Sequence, residues 1–140
     1  MRVIYFDSRV QEEIKTRLIK EFLDILILRR VMEAPSSGHD IMKYIIRNYG
    51  IYLSPGIVYS TLYSLERREL VEARPQTKKR IYMINEKGEE LLREYQDSLD
   101  ELVDFTMKFF EGLLSPIKER RVLIERKRYG ESESQLSIKA

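Results

Sequence analysis

Two groups of polar side chains near the middle of the chain are suited to contacting a polyanion. The first lies on one face of a helix predicted at residues 55–69 and combines small, hydroxyl-bearing and cationic residues: Ser54, Gly56, Tyr59, Ser60, Tyr63 and Arg67. The second occupies the tip of a predicted hairpin: Lys78, Lys79 and Arg80. Cations displace counterions from phosphates, and hydroxyls bond to phosphate oxygens or base edges. Both groups, with Lys43 on the preceding helix, are therefore candidate contacts to double-stranded DNA.

The chain has few residues suited to catalysis or metal binding. The 140 residues include no Cys and a single His, His39, which excludes a disulfide framework, a thiolate metal site and a thiol nucleophile. One histidine is also too few for a zinc cluster and leaves none to spare for a Ser-His pair. The acidic pair Glu89 and Glu90 fits the first turns of a helix better than acid–base catalysis. We therefore expect no catalytic site, no metal ion and no cofactor.

The distribution of charge supports a division of roles along the chain. The net charge of +2 combines +4 over residues 34–85, −6 over residues 86–114 and +3 over residues 115–140, with +1 before them. A basic middle beside an acidic helix suggests that one region faces a polyanion and another does not. Solvated helix faces would give the same pattern, so charge alone leaves both interpretations open.

Apolar periodicity and chain breakers predict the elements that must position these side chains. Helices are predicted at 9–33, 38–49, 55–69 and 86–112, strands at 70–74 and 80–85, and a further helix up to residue 129. Ser36 or Ser37 is expected to cap the second helix, and Ser54 followed by Pro55 to begin the third. Asn85 is expected to cap the fourth. Residues 130–140 are predicted to be a flexible tail.

The order helix, helix, helix, hairpin is typical of a winged helix-turn-helix. In that fold the third helix enters the major groove, and the hairpin, or wing, reaches the adjacent backbone or minor groove. We therefore predict a mostly α (α+β) fold with a DNA-binding domain at 9–85. Arg74, on the first strand, is a further cation of this wing.

The fourth helix has a wide apolar face that predicts association. Its apolar positions follow alternating gaps of three and four residues, a heptad seam: Leu92, Tyr95, Leu99, Leu102, Thr106, Phe109 and Leu113. Such a face needs more cover than a small winged domain offers. We expect residues 86–129 to form a helical dimerisation region, with Phe22 of the first helix contributing to a homodimer.

The segment SPGIVYSTLYSLERRELV at 54–71 resembles the signature of the PadR family, in which Ser-Pro-Gly-x-x-Tyr is followed by Leu-x-x-Leu-Glu. FLDILIL at 22–28, GHDI at 38–41 and KKRIYMINEKGEELL at 78–92 resemble further family segments in the same order. The resemblance covers about residues 17–110. It implies a homodimeric transcription regulator, usually a repressor, and in some members a small aromatic molecule that releases it.

Two departures from the family pattern change what the resemblance implies. Glu69 stands where members usually have Gly, so a different turn into the first strand is expected. The chain has no Trp, and an effector site built on a stacked tryptophan is therefore not supported.

The leading hypothesis is a homodimeric, sequence-specific DNA-binding regulator, a repressor of a palindromic operator. Two alternatives stay open: an architectural DNA-binding protein of low specificity, and a winged-helix module that binds another protein. The cationic segment 115–129 would favour the architectural protein. The polar outer face of the third helix argues against the module that binds another protein. No apolar run has the roughly 18 residues of a membrane span, and the N-terminus lacks a signal-peptide pattern, so a cytoplasmic protein without membrane contact is expected.

Overall fold

A computed structural model describes residues 8–116 of the chain. Its elements, in chain order, are α1 (Ser8–Glu21), α2 (Leu23–Glu33), α3 (Gly38–Tyr49), α4 (Pro55–Arg67), β1 (Val71–Gln76), β2 (Lys79–Ile84), α5 (Glu86–Asp97) and α6 (Leu99–Leu114). The helix predicted after Pro116 and the tail at 130–140 lie outside the described residues. The chain divides into two compact units between Ser98 and Leu99.

The fold is mostly helical with one antiparallel hairpin, as predicted for a winged helix-turn-helix. The core of the first unit lies where α2, α3, α4 and the base of the hairpin meet. The predicted inner face of α4 is confirmed, because Val58, Leu62 and Leu65 are all fully buried. Burying one face of α4 in this way leaves its polar face pointing outward.

Two helices predicted as continuous are each interrupted, which corrects the prediction. Phe22 separates α1 from α2 with φ −102° and ψ 18°, yet its N–H still donates to the Leu18 carbonyl. Ser98 separates α5 from α6, and its hydroxyl donates to the Glu94 carbonyl at 3.0 Å. A serine hydroxyl bonded to a carbonyl of the preceding turn offers the backbone an alternative to regular helical hydrogen bonding. The predicted seam of the fourth helix is thus shared between two helices.

The predicted helix starts differ in how they are capped. At α3, Ser37 and Asp40 form a capping box, in which the Ser37 hydroxyl accepts from the Asp40 N–H and the Asp40 carboxylate accepts from the Ser37 N–H. At α5, the Asn85 side chain accepts from the Gly88 N–H, as predicted. At α4 the expected side-chain cap is absent. There the backbone carbonyl of Ser54, and not its side chain, accepts hydrogen bonds from the first turn of the helix. Pro55 occupies that turn.

Asp40 gives the capping box a dependence on pH. The backbone N–H of Ser37, followed by its hydroxyl, lowers the pKa of Asp40 below its ordinary value of 3.8, and the charges of Lys79 and Lys43 add to this. The folded state therefore binds the proton less readily than the unfolded chain, and the stabilisation present at neutral pH is lost as the pH falls through the lowered pKa.

We expect Asp40→Asn to lower the free energy of unfolding by about 1 kcal/mol at pH 7, because the charged acceptor of two hydrogen bonds is lost. The difference from the wild type should shrink steadily below about pH 4, once the wild-type carboxyl is protonated. Urea unfolding of both proteins over a pH series measures this. A difference that is the same at neutral and acid pH would contradict the assignment.

The end of α4 makes a Schellman turn into the wing. The N–H of Leu70 donates to the Leu65 carbonyl and that of Glu69 to the Glu66 carbonyl, both at 3.0 Å. Glu69 has φ 58°, the left-handed conformation that glycine favours at this position. The glutamate therefore makes the turn that a glycine would make, and the expected difference in the turn is not seen.

The wing pairs β1 with β2 from Val71 opposite Ile84 to Gln76 opposite Lys79. At its base, Tyr82 exchanges two backbone hydrogen bonds with Ser36, of 2.9 and 3.1 Å, so that the segment between α2 and α3 adds a short third strand-like contact. The wing is thereby fixed to the helices as well as to itself. Within residues 8–116, no helix has both the length and the apolar character needed to cross a membrane.

Candidate nucleic-acid interface

A cleft of about 320 Å³ lies between the start of α3, the outer face of α4 and the wing. It is lined by Ser37, Gly38, His39, Tyr59, Tyr63, Lys78, Lys79, Arg80 and Tyr82. Five of the predicted DNA contacts, from α4 and from the wing, thus meet at one concave surface. Its walls combine aromatic hydroxyls with three cations, a combination that suits phosphates and base edges.

Gly38 determines where the ring of Tyr59 lies. A Cβ placed on Gly38 would stand 2.6–2.9 Å from Cε1, Cζ and the hydroxyl oxygen of Tyr59, closer than atoms can approach. The ring therefore lies against the start of α3 while 39% of the residue stays exposed. Tyr63, one turn further along α4, is 50% exposed. Both hydroxyl-bearing rings remain accessible at the mouth of the cleft.

Tyr82 forms the buried floor of the cleft. The residue is 1% exposed, and the guanidinium of Arg80 lies 5.8 Å from its ring centroid. Burial raises the pKa of Tyr82, and the charge of Glu66 adds to this, while the charge of Arg80 acts in the opposite sense. The phenol therefore stays neutral at physiological pH, and it supports the side chains above it.

The three cations at the tip of the wing differ in their surroundings. Arg80 pairs with Glu66 of α4 at 3.0 Å. The charge of Lys79 acts on Asp40 at the start of α3. Lys78 has no ion-pair partner among residues 8–116 and is exposed. The two lysines are thus the cations that can take up a phosphate without giving up an ion pair.

A second, shallower surface continues from the cleft along α4, lined by Ser60, Tyr63, Glu66 and Arg67. Tyr63 belongs to both surfaces. The Ser60 hydroxyl donates to the Ile57 carbonyl at 3.0 Å, which leaves its oxygen lone pairs free to accept. Arg67 is exposed at the end of α4. The outward face of α4 is therefore polar along its length.

The remaining predicted contacts lie outside these two surfaces. Ser54 and Gly56 are exposed at the start of α4, and a Cβ on Gly56 would meet nothing within 4 Å. Lys43 lines a separate cleft of about 280 Å³ between α2 and α3, beside Arg30 and Arg47. The structure does not bring Lys43 into the cleft of Tyr59.

Residues 27–94, which include α3, α4 and the whole wing, match the sequence model of the transcriptional regulator PadR-like family. The chain carries a PadR-like domain over these residues. This domain is the DNA-binding winged helix of a transcriptional regulator, and members of the family are regulators and not enzymes.

Solved structures share the fold of this PadR-like chain. A PadR-like transcriptional regulator from Bacillus cereus is 19% identical, with a TM-score of 0.60 over 68% of this chain and 97% of that chain. A PadR family regulator from Eggerthella lenta is 22% identical, with a TM-score of 0.60 over 74% and 95%. A transcriptional regulator from Clostridium thermocellum is 21% identical, with a TM-score of 0.59 over 66% and 94%. No curated protein matches the sequence.

The residues predicted to pair PadR-like subunits differ in exposure. Leu92 is 5% exposed because it packs within its own unit. The others are open to solvent in the single chain: Phe22, Tyr95, Leu99, Leu102, Thr106, Phe109 and Leu113. In α6, the ring of Phe109 contacts those of Phe105 and Phe110, with centroids 6.3 and 5.8 Å away.

Sequence reasoning missed five contributors to the interface. Ser37, Gly38, His39 and Tyr82 line the cleft, and Glu66 pairs with Arg80. His39 was expected only at a helix start, and nothing in local periodicity places the start of α3 beside the wing. Arg74 lies instead in an open groove whose lining includes Lys87 and five carboxylates, those of Glu66, Glu69, Glu72, Glu86 and Glu90.

Proposed function

We propose that the protein is a homodimeric, sequence-specific repressor that binds a palindromic operator in double-stranded DNA. The observation that supports this most is the cleft in which Tyr59, Tyr63 and the wing cations come together. With α4 in the major groove, its outward hydroxyls reach base edges while Lys78 and Lys79 reach the adjacent backbone. Occupying a promoter in this way would block transcription.

A footprint of the promoters of its own and neighbouring genes tests this proposal. We expect a discrete protected region with an inverted repeat, because a two-fold dimer reads two half-sites one or two helical turns apart. Replacing Tyr59 or Ser60 should change the sequence preference. Continuous protection without preference would instead support an architectural role and contradict the proposal.

The dimer is supported by the composition of α6. No residue of this helix is buried in the single chain, and its exposed apolar residues include Leu99, Leu102, Val103, Phe105, Met107, Phe109, Leu113 and Leu114. A helix with so many exposed apolar side chains requires a partner in water. A second copy provides the same face and a two-fold arrangement.

We expect the double variant Leu102→Glu with Phe109→Glu to be monomeric, because two carboxylates would be buried without partners at the seam. Light scattering should give a mass near 16.8 kDa for this variant and twice that for the wild type. Lys108→Glu on the same helix is the control and should stay dimeric. A wild type with the mass of one chain would overturn the dimer.

We propose that the effector is a small aromatic molecule, and that the protein is cytoplasmic. The exposed phenylalanines of α6 would offer apolar, π-rich walls to such a ligand at a dimer seam. Release of the DNA fragment by simple phenolic compounds in a gel shift is the expected result. An unchanged complex across a panel of such compounds would contradict this proposal.

A further inference from the structure

The ion pair between Glu66 and Arg80 joins the outward face of α4 to the wing. Glu66 Oε1 lies 3.0 Å from Nη2 of Arg80. The side chain of Glu66 is 33% exposed and that of Arg80 is 47% exposed. Glu66 also lines the shallow surface beside Tyr63 and Arg67. A carboxylate therefore lies among the groups that face DNA, where it would repel phosphates.

We propose that Glu66 competes with DNA phosphates for Arg80 and so lowers the affinity of the protein for DNA of arbitrary sequence. The inference rests on the proposed DNA-binding function and adds a determinant of specificity to it. Contacts to phosphates contribute affinity without sequence information. Holding one cation in an ion pair within the protein therefore weakens binding to DNA of every sequence. The contacts to base edges stay intact.

The chemistry of the pair supports this competition. A guanidinium binds carboxylates and phosphates through the same donors and with similar geometry. The Arg80 donor that Glu66 holds is thus one that a phosphate would use. Because both side chains are partly exposed, the pair is weak enough to exchange.

We expect Arg80 to keep its position when the carboxylate is removed. Its guanidinium also lies over the ring of Tyr82, whose backbone is bonded to Ser36. Without Glu66, Arg80 would remain at the edge of the cleft with its donors open to solvent. Removing the negative charge should therefore give a gain in binding, whereas a merely structural pair would give none.

The test measures binding of the full-length protein to a fluorescent duplex of arbitrary sequence over a series of salt concentrations. The variants are Glu66→Gln, Arg80→Ala and their combination, with Glu72→Gln as the control. Glu72 is an exposed carboxylate on β1, so its replacement makes the same change in net charge. Thermal unfolding of each variant verifies that it is folded.

We expect Glu66→Gln to bind about two- to five-fold more tightly at low salt, and its salt slope to steepen by up to about 0.9, the contribution of one additional phosphate contact. The gain should disappear in the Arg80→Ala background and should be smaller for Glu72→Gln. An unchanged or weaker affinity, or an equal gain without Arg80, would overturn the competition while leaving DNA binding standing. A wild type that binds no duplex at low salt would overturn both.

Discussion

Replacing Lys78 and Lys79 together with alanine is expected to weaken binding to duplex DNA of every sequence, by about 10- to 100-fold at low salt. Both side chains line the cleft between α3, α4 and the wing, and neither forms an ion pair within the described residues. Loss of two phosphate contacts should also flatten the slope of log affinity against log salt by about 2.

The matched control removes two exposed cations from outside the cleft, Lys20 and Arg93. This variant has the same net charge as the double lysine variant. Its affinity should fall only slightly and its salt slope should stay near that of the wild type. Equal losses in the two variants would mean that the overall charge of the protein, and not the wing, determines binding.

Gly88→Ala is expected to be the most destabilising single substitution considered for the fold. A Cβ at this position would stand 2.2 Å from the Leu70 carbonyl oxygen and 2.8 Å from Cγ1 of Ile84. The Leu70 carbonyl is held in place by the Asn85 N–H, so the backbone cannot give way cheaply. We expect a loss of about 2–4 kcal/mol in the free energy of unfolding.

Urea denaturation measures this loss against Gly56→Ala in the same unit. A Cβ on Gly56 meets nothing within 4 Å, so this control should lose no stability. Its DNA affinity is informative as well, because any weakening must come from a close approach of DNA to the start of α4. A Gly88→Ala protein as stable as the wild type would show that α5 can shift away from the wing.

Local patterns were sufficient to predict most elements of the winged domain. The spacing of Val58, Leu62 and Leu65 indicated which side of α4 is buried, and Asn85 indicated where α5 begins. The interruptions at Phe22 and Ser98 were not predicted, because apolar periodicity continues across both positions and a single residue changes conformation at each. The fold was therefore predictable at the level of elements, and less so at their ends.

The interface was predictable only where local sequence determines it. The outward placement of Tyr59 and Tyr63 follows from the helical period, and the wing cations from the hairpin. The contact of Gly38 with Tyr59 and the pairing of Glu66 with Arg80 join elements that are far apart in the chain. Such contacts depend on how helices pack, which the local patterns of a single sequence do not specify.

The backbone bonds between Tyr82 and Ser36 have a mechanical consequence. A hairpin attached only at its ends could swing as a flap, but here swinging would require two hydrogen bonds at its root to rupture. Adjustment to the contour of a duplex is therefore left to the outer end, around Thr77, where no such tether exists within the described chain. The base of the wing therefore keeps its angle to α4, and only the outer end adjusts to the duplex.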